Sequence, residues 1–336
     1  MPVHYLETGS TDPCYNLAVE QVVLENRRRG NWLLLWQNAN TIVVGLNQNT
    51  AEEIDAAFVA SHGITVVRRM TGGGAVYHDL GNLNYSFITD VRETEELSIA
   101  RFTEPICRAL AAMGVEAQTS GRNDILVDGK KVSGVAQRVS GERILHHGTL
   151  LFDSDPAMIA GALRADPEKF RSKSVKSVSS RVGMLKDYLP ADTTLHMFWD
   201  GILRELAPQG MIREQLTEEE LAQARTLADE KYRSWEWTWG RSPAYQVRRK
   251  ARFPGGSLDV RMDVQQGVIA DAAIYGDFMA TASLDALSEA LCGVRPERSE
   301  LEAVLSRFDC ASLFGGITRE EVVCLMTGEG DENGSC

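Results

Sequence analysis

The sequence predicts an α+β fold, a mixed and largely antiparallel sheet with helices packed on it, followed by a small α+β C-terminal accessory domain. Three features carry that prediction. Asp128-Gly129 sits between two short apolar runs, the strongest short-range signal for a two-residue hairpin. A β-branched run leads into Gly72 to Gly74, and a second apolar run leaves them. Beyond Val247, strand pairs come first and helices afterwards. At 336 residues and 43% hydrophobic composition the chain can bury a substantial core and form more than one domain.

Taken in order, residues 16–27 read as a helix, and 33–36 with 41–44 as strands paired across 37–40. Residues 52–61 are helical and end at His62-Gly63, where a glycine cap is expected. The glycine run joins two strands, 83–88 makes another, and 98–113 form an apolar-striped helix closed by Gly114. The Asp-Gly hairpin and a strand around Leu150 come next. Residues 217–230 are acidic and helix-favouring, and are predicted to separate this core from the C-terminal part of the chain. Trp235, Trp237 and Trp239 recur at strand period and should share one face, where packing is the better account of the stripe. Beyond Val247, strands turn at Gly255-Gly256 and Gln266-Gly267. Helices then start at Ser283, stopped by Gly293, and at Thr318, where Glu321 completes a capping box. The expected domains are 1–245 and 246–328, with a glycine-rich, acidic tail at 329–336 that should be disordered.

The hairpin carries chemistry. With Asp128-Gly129 as the turn, the simplest register sets Leu126 opposite Lys131, Ile125 opposite Val132 and Asp124 opposite Ser133. One face then carries Ile125, Val127 and Val132 and reads as core. The other sets Asp124, Lys131 and Ser133 together before Gly134, where a missing side chain admits a ligand or another backbone. Two solvated lysines on a surface hairpin are the plainer reading of Asp-Gly-Lys-Lys. The partition of polar and apolar residues raises Lys131 above Lys130.

A second constellation is Arg68-Arg69-Met70-Thr71-Gly72-Gly73-Gly74-Ala75-Val76-Tyr77-His78. Three glycines in a strand context bury nothing and cost entropy, unless the backbone must turn tightly and offer its N–H groups to an anion. No Gly-Lys-Ser/Thr follows, so this is no Walker loop, and a strand stands where a dinucleotide fingerprint needs a helix. Arg68 and Arg69 alternate faces, so one guanidinium reaches the loop, where it suits phosphate or carboxylate.

Together these segments resemble the lipoate–protein ligase family. The run from Arg68 to Asp79, with Gly81-Asn82-x-Asn84-Tyr-Ser-Phe87, looks like its lipoate-binding signature. Gly121 to Asp124 through Lys131-Val-Ser-Gly134, then His146-His-Gly-Thr-Leu-Leu151, looks like its catalytic core. Asn16-Leu-Ala-x-Glu20 and residues 173–185 match as well, so the resemblance covers essentially the whole chain. Asn123-Asp124 before Lys131 is also similar to the biotin–protein ligases.

The resemblance implies a two-step reaction. The lipoate carboxylate attacks the α-phosphate of ATP to give lipoyl-AMP, and a lysine of an acceptor lipoyl domain then takes the acyl group. Lys131 would bridge the two anions and stabilise both transition states. Asp124 would orient Lys131, help hold Mg²⁺ or accept a proton, and all three roles are open. Arg69 would hold phosphate. The resemblance places Thr71, Gly73, Gly74, Ala75, Val76, Tyr77, His78, Ser133, Gly134, Ala136, His147 and Thr149 around the substrate and nucleotide. It also implies that the basic, hydroxyl-rich segment 171–181, with Lys176 and Arg181, closes over the adenylate and excludes water. Acceptors would be the acyltransferase subunits of 2-oxoacid dehydrogenases or the glycine-cleavage H protein. The smaller domain implies that activation and transfer occur on one chain. Thr71 for the commoner serine and the larger Met70 leave lipoate against octanoate open.

Composition bounds the partners. A net charge of −12 argues against nucleic acid and gives no steering toward acidic lipoyl domains, so docking must use local basic patches. No apolar run is long enough to span a bilayer, and six scattered cysteines without CxxC spacing read as reduced thiols of a cytoplasmic enzyme, expected to be a monomer since no coiled-coil seam appears. His78 and His147 lie in no zinc-like cluster, and no metal site beyond a Mg²⁺ role for Asp124 is expected. Two other readings stand beside the ligase. An octanoyl or lipoyl acyltransferase would need an activated thiol, yet no cysteine lies between Cys107 and Cys292. A silent lipoate- or acceptor-binding protein would have no need of Lys131 and Asp124.

Overall fold

The computed structural model describes residues 3–91, 98–121, 123–163, 182–239, 247–265 and 267–328. Contacts divide the chain into two units: 1–43, 54–68 and 76–238 form one, and 44–53, 69–75 and 239–336 the other.

The first unit is built on strands β1 (Val3–Glu7), β2 (Trp32–Trp36), β3 (Thr41–Val44), β4 (Thr65–Arg68), β5 (Val76–His78), β6 (Asn82–Asp90), β7 (Gln118–Ser120), β8 (Asp124–Val127), β9 (Lys130–Ser140), β10 (Arg143–Leu151) and β11 (Met211–Arg213). Eight of them make one mixed sheet in the order β11-β1-β2-β6-β10-β9-β8-β7, parallel on both sides of β1 and antiparallel from β2 onward. A second sheet has the order β4-β3-β5. The expected pairing of residues 33–36 with 41–44 is therefore wrong. Every residue of β2 is buried, and both of its edges are taken, by β1 and β6, which leaves β3 to a different sheet.

Helices α1 (Pro13–Asn26), α2 (Ile99–Ala112), α3 (Leu195–Leu206) and α4 (Glu218–Leu227) pack on the large sheet or on one another. Asp12 caps α1, accepting from the N–H groups of Cys14 and Tyr15, and Pro13 fits the first turn, where no N–H is needed. Helices α2 and α3 close one sheet face, where Ile106, Ala109, Leu110, Phe198 and Ile202 meet Leu33, Leu35, Leu83, Tyr85, Val135 and Leu150 in a continuous core. Helix α1 lies on the other face, where its Glu20 bonds Ser86 and His147.

Residues 217–230 do not separate anything. A capping box between Thr217 and Glu220 starts α4, which packs on α1, and Arg27 holds Glu220 at 2.7 Å. The tryptophans do not form a strand stripe either. Trp235–Thr238 is a helical turn started by Ser234, whose Oγ accepts from the Trp237 N–H at 3.2 Å. Trp235 is exposed, while Trp237 turns in under Lys231, whose ammonium lies 4.3 Å from its ring centroid. The fully buried Arg68 is anchored here: its guanidinium donates to the carbonyls of Trp237 and Thr238 at 2.9 and 3.0 Å.

The second unit contains β12 (Val247–Phe253), β13 (Gly256–Gln265) and β14 (Val268–Gly276), an antiparallel meander as expected. Its apolar face packs on helices Asp285–Leu291, Arg298–Leu305, Cys310–Phe314 and Arg319–Thr327. Both bonds of the Thr318–Glu321 capping box are present. Cys14, Cys107, Cys292 and Cys310 are free thiols, but Cys324 is disulfide-bonded, against the expectation of reduced thiols throughout. The expected tail at 329–336 lies outside the described residues. No helix among the described residues is long and apolar enough to cross a membrane.

Candidate active site

The Asp128-Gly129 turn forms as predicted, with both residues at positive φ (49° and 75°), as a primed two-residue turn requires. Leu126 pairs with Lys131 as expected, but then the register slips: Ile125 faces Ser133 and Asp124 faces Gly134. Val132 is the extra residue of a β-bulge, a device that re-aims side chains beside functional sites. The bulge is held from both sides. Gly134 donates its N–H to Thr149 Oγ1 at 3.1 Å, and Asn123 exchanges two bonds with the Val135 backbone, at 2.9 and 3.2 Å.

This slip corrects the predicted face. Ser133 turns to the opposite side with Ile125 and is fully buried. Asp124, Lys131 and Gly134 come together instead. The Lys131 ammonium pairs with the Asp124 carboxylate at 2.8 Å and packs over Gly134, where an added Cβ would stand 3.0 Å from Nζ. Gly134 is thus the floor beneath the amine, and any side chain there would displace it. Both charged side chains keep about a third of their surface, 33% and 35%, which a ligand can reach.

Registry extends the site across the sheet. Trp36 faces Asn84, Asn84 faces Thr149, Thr149 holds Gly134, and Gly134 faces Asp124, giving one polar row over β2, β6, β10, β9 and β8. The adjacent row runs Leu34, Ser86, His147, Ala136. The imidazole of His78 stands edge-on to Trp36 at 6.4 Å between ring centroids and bonds Asn38 Nδ2 at 3.1 Å, so it marks the far end of this face. Tyr77 bonds Asn40 through its hydroxyl at 2.9 Å, and burial pushes its phenol up to about 12. Of the sequence-predicted residues, Asp124, Lys131, Gly134, Ala136, His147 and Thr149 therefore share one face, with His78 at its edge.

Sequence reasoning missed Glu20, Ser86 and Trp36 as members of this face. Glu20 lies beneath His147, its Oε1 2.8 Å from the imidazole Nδ1. A glutamate inside the apolar run Leu17 to Leu24 was the available signal. The neighbouring His146 points the other way, into the core between Phe102 and Tyr85, and burial holds it down to about 3.

The glycine loop belongs to the second unit. Arg69 turns its guanidinium inward, donating Nε to Thr71 Oγ1 at 3.0 Å and Nη2 to the carbonyls of Gly72 and Gly74 at 2.6 and 2.8 Å. Two of the three glycines answer to their own backbone. A Cβ on Gly72 would meet the Phe278 carbonyl at 2.7 Å, and Gly73 at φ 86° donates to that oxygen and crowds Gly45. Around Gly74 the space is open. Lys176 and Arg181 lie outside the described residues.

The thiols of the first unit are not activated. Burial, then the charge of Asp12, pushes Cys14 up to about 11, and burial followed by Glu104 raises Cys107. Cys107 also sits on α2, against the opposite sheet face.

A family model described as the lipoyl protein ligase A/B catalytic domain matches residues 12–207, and one described as the bacterial lipoate protein ligase C-terminus matches 242–326. A lipoate–protein ligase of Bacillus subtilis, LplJ, is 40% identical over 320 residues, 94% of this chain and 97% of that protein. The chain belongs to the lipoate–protein ligase family. The fold agrees with solved lipoate ligases. A bipartite lipoate–protein ligase of Thermoplasma acidophilum, solved in a study that includes its E2 lipoyl domain, superposes with a TM-score of 0.64 at 29% identity, covering 74% of this chain and 99% of that one. A lipoate–protein ligase A bound with ATP superposes at 0.63 with 26% identity, covering 71% and 99%.

Proposed function

We propose that this ligase activates lipoate with ATP to lipoyl-AMP and transfers the acyl group to a lysine of an acceptor lipoyl domain. The observation that carries the reading is the Lys131–Asp124 pair at 2.8 Å, a reachable cation over a bare glycine at the end of a polar row. In the first step two anions must meet, a carboxylate and the α-phosphate, and a compact ammonium between them removes their repulsion. The carboxylate oxygen bonds to phosphorus as pyrophosphate leaves. In the second step the acceptor amine, having lost its proton, attacks the acyl carbon, and the C–O bond to AMP breaks. Lys131 then stabilises charge on the oxygens of the mixed anhydride. Asp124 is assigned the orienting role among its three options, since its carboxylate is already committed to Lys131.

The other candidates divide by what they touch. Gly74, Ala75, Val76, Tyr77, His78, Ala136, His147 and Thr149 are proposed to line the substrates, while Arg69, Thr71 and Gly73 set the shape of the glycine loop. No group of three His, Cys, Asp or Glu side chains stands together among the described residues, so these residues build no metal cage of their own. Mg²⁺ bound with the nucleotide would be held chiefly by phosphate oxygens and water, where it would neutralise phosphate charge. The domains are read as 1–245, catalytic, and 246–328, accessory, which the two family models support. The archaeal ligase is described with its own E2 lipoyl domain, which favours an acyltransferase subunit as acceptor here. ATP as co-substrate supports a cytoplasmic reaction, and the chain is read as a monomer.

The test is pyrophosphate release from ATP by the purified chain with lipoic acid, with octanoic acid and with neither. Acid-dependent release, followed by ATP-dependent mass gain on a lipoyl domain, is expected. Acyl transfer from an acyl thioester without ATP would overturn the reading.

A further inference from the structure

The polar row that ends at Lys131 contains two amides whose hydrogen bonds do not close. Asn82 and Asn84 stand two residues apart on β6, on the face shared with Thr149 and Trp36, and are 0% and 2% exposed. Asn82 Nδ2 donates to Asn84 Oδ1 at 2.9 Å, which leaves Asn84 Nδ2 and Asn82 Oδ1 without a partner among the described residues. Turning both amides over exchanges their roles and leaves the same shortfall, one N–H group without an acceptor and one oxygen without a donor. An unpaired amide N–H is costly to bury. Kept on the face of a binding site, it points to an acceptor that the ligand brings.

The place of the pair decides which part of the ligand it meets. The substrate carboxylate belongs at Lys131, over Gly134, and from there the row runs two ways. Toward Asp124 and Ser120 it comes out to solvent, because β7 is exposed along its length. Toward Thr149, Asn84 and Trp36 every member is buried, so an apolar chain follows that direction. Asn84 lies two strands from Gly134, about 10 Å across the sheet, the reach of an extended octanoyl-length chain. The amides therefore meet the tail of the acyl group. Trp36, directly opposite Asn84, is held by the bond from its Nε1 to Ser86 Oγ at 2.9 Å. An aromatic ring and an unpaired N–H both suit sulfur, which packs against rings and accepts weak hydrogen bonds.

We infer that Asn84, paired with Asn82, selects a dithiolane over an alkyl tail. The inference rests on the ligase reading above for the position of the carboxylate. Lipoate brings a sulfur to the unpaired N–H, whereas octanoate seals the same N–H against hydrocarbon and leaves it unmatched. Lipoate is thus the preferred acid.

The test is the ratio of kcat/KM for pyrophosphate release with lipoic acid and with its carbocyclic analogue, in which methylene groups replace both ring sulfurs. Wild type should favour lipoic acid by on the order of 10-fold. Asn84→Leu, which keeps the volume and removes the amide, should bring the ratio close to one and raise the use of octanoic acid relative to lipoic acid. The ratio is read within one preparation, so a partial loss of folded protein does not move it. Should Asn84→Leu not fold, Asn84→Ala is measured in its place with the same ratio expected. Equal use of the two ring acids by wild type, or a wild-type ratio in the variant, would overturn the inference. No pyrophosphate release with any acid would instead overturn the ligase reading, and calorimetric titration of the full chain with the two ring acids would then judge Asn84 by the ratio of affinities.

Discussion

Lys131→Ala is expected to lower acid-dependent pyrophosphate release by about 10²- to 10³-fold, the usual effect of removing one preorganised charge aimed at a transition state. The chain should remain folded. Lys131 keeps a third of its side-chain surface, and the carboxylate it leaves behind, Asp124, is open to solvent to the same degree, so no charge is stranded in the core. Lys131→Arg is expected to rescue little. A planar guanidinium is longer and donates in a different geometry from the compact ammonium that pairs with Asp124 at 2.8 Å over Gly134. Steady-state release measured beside a thermal melt checks both halves. Wild-type turnover in Lys131→Ala with an unchanged melt would remove Lys131 from the mechanism.

Gly148→Ala is expected to destabilise the fold by overpacking the sheet. Gly148 faces Tyr85 across β10 and β6, and its added Cβ would stand 2.5 Å from the phenol oxygen and 2.6 Å from Cζ. Tyr85 is fully buried, stacked with His146 and edge-on to Phe87, so its ring has no space to swing aside. Overpacking of this kind costs about 1–3 kcal/mol or more, and each kcal/mol lowers the melting temperature of a domain this size by roughly 2–4 °C. Calorimetry of the variant tests it. A melting temperature equal to wild type would mean that the ring and the sheet yield without cost.

Several parts of this structure were legible because their causes are local. The Asp128-Gly129 turn arises from two residues that tolerate positive φ, and the helix end at Gly114 from a glycine at φ 85°. The Thr318–Glu321 box needs only four residues. The features that stayed hidden depend on contacts distant along the chain. The bulge at Val132 exists because Thr149 and Asn123 fix Gly134 and Val135 one place further along, and neither constraint is visible within the hairpin. Residues 33–36 pair with β1 and β6 rather than with their neighbour, a choice made by burial of both edges. Gly72 and Gly73 read as a ligand cradle, yet their immediate neighbours are the Phe278 carbonyl and Gly45. Lys131, Asp124 and His147 were found from sequence as chemistry-bearing residues. Glu20 stood in a recognisable motif with no role attached, because its partners Ser86 and His147 come from two different strands.

The central claim, activation of a carboxylate as its adenylate, is tested most directly by following oxygen. Lipoic acid labelled with ¹⁸O in its carboxylate is incubated with ATP, the purified ligase and a lipoyl domain, and the AMP is weighed by mass spectrometry. Attack of the carboxylate on the α-phosphate, followed by aminolysis at the acyl carbon, leaves one labelled oxygen on each AMP. Label in inorganic phosphate with ADP as the nucleotide product, or modified acceptor alongside unlabelled AMP, would contradict the account.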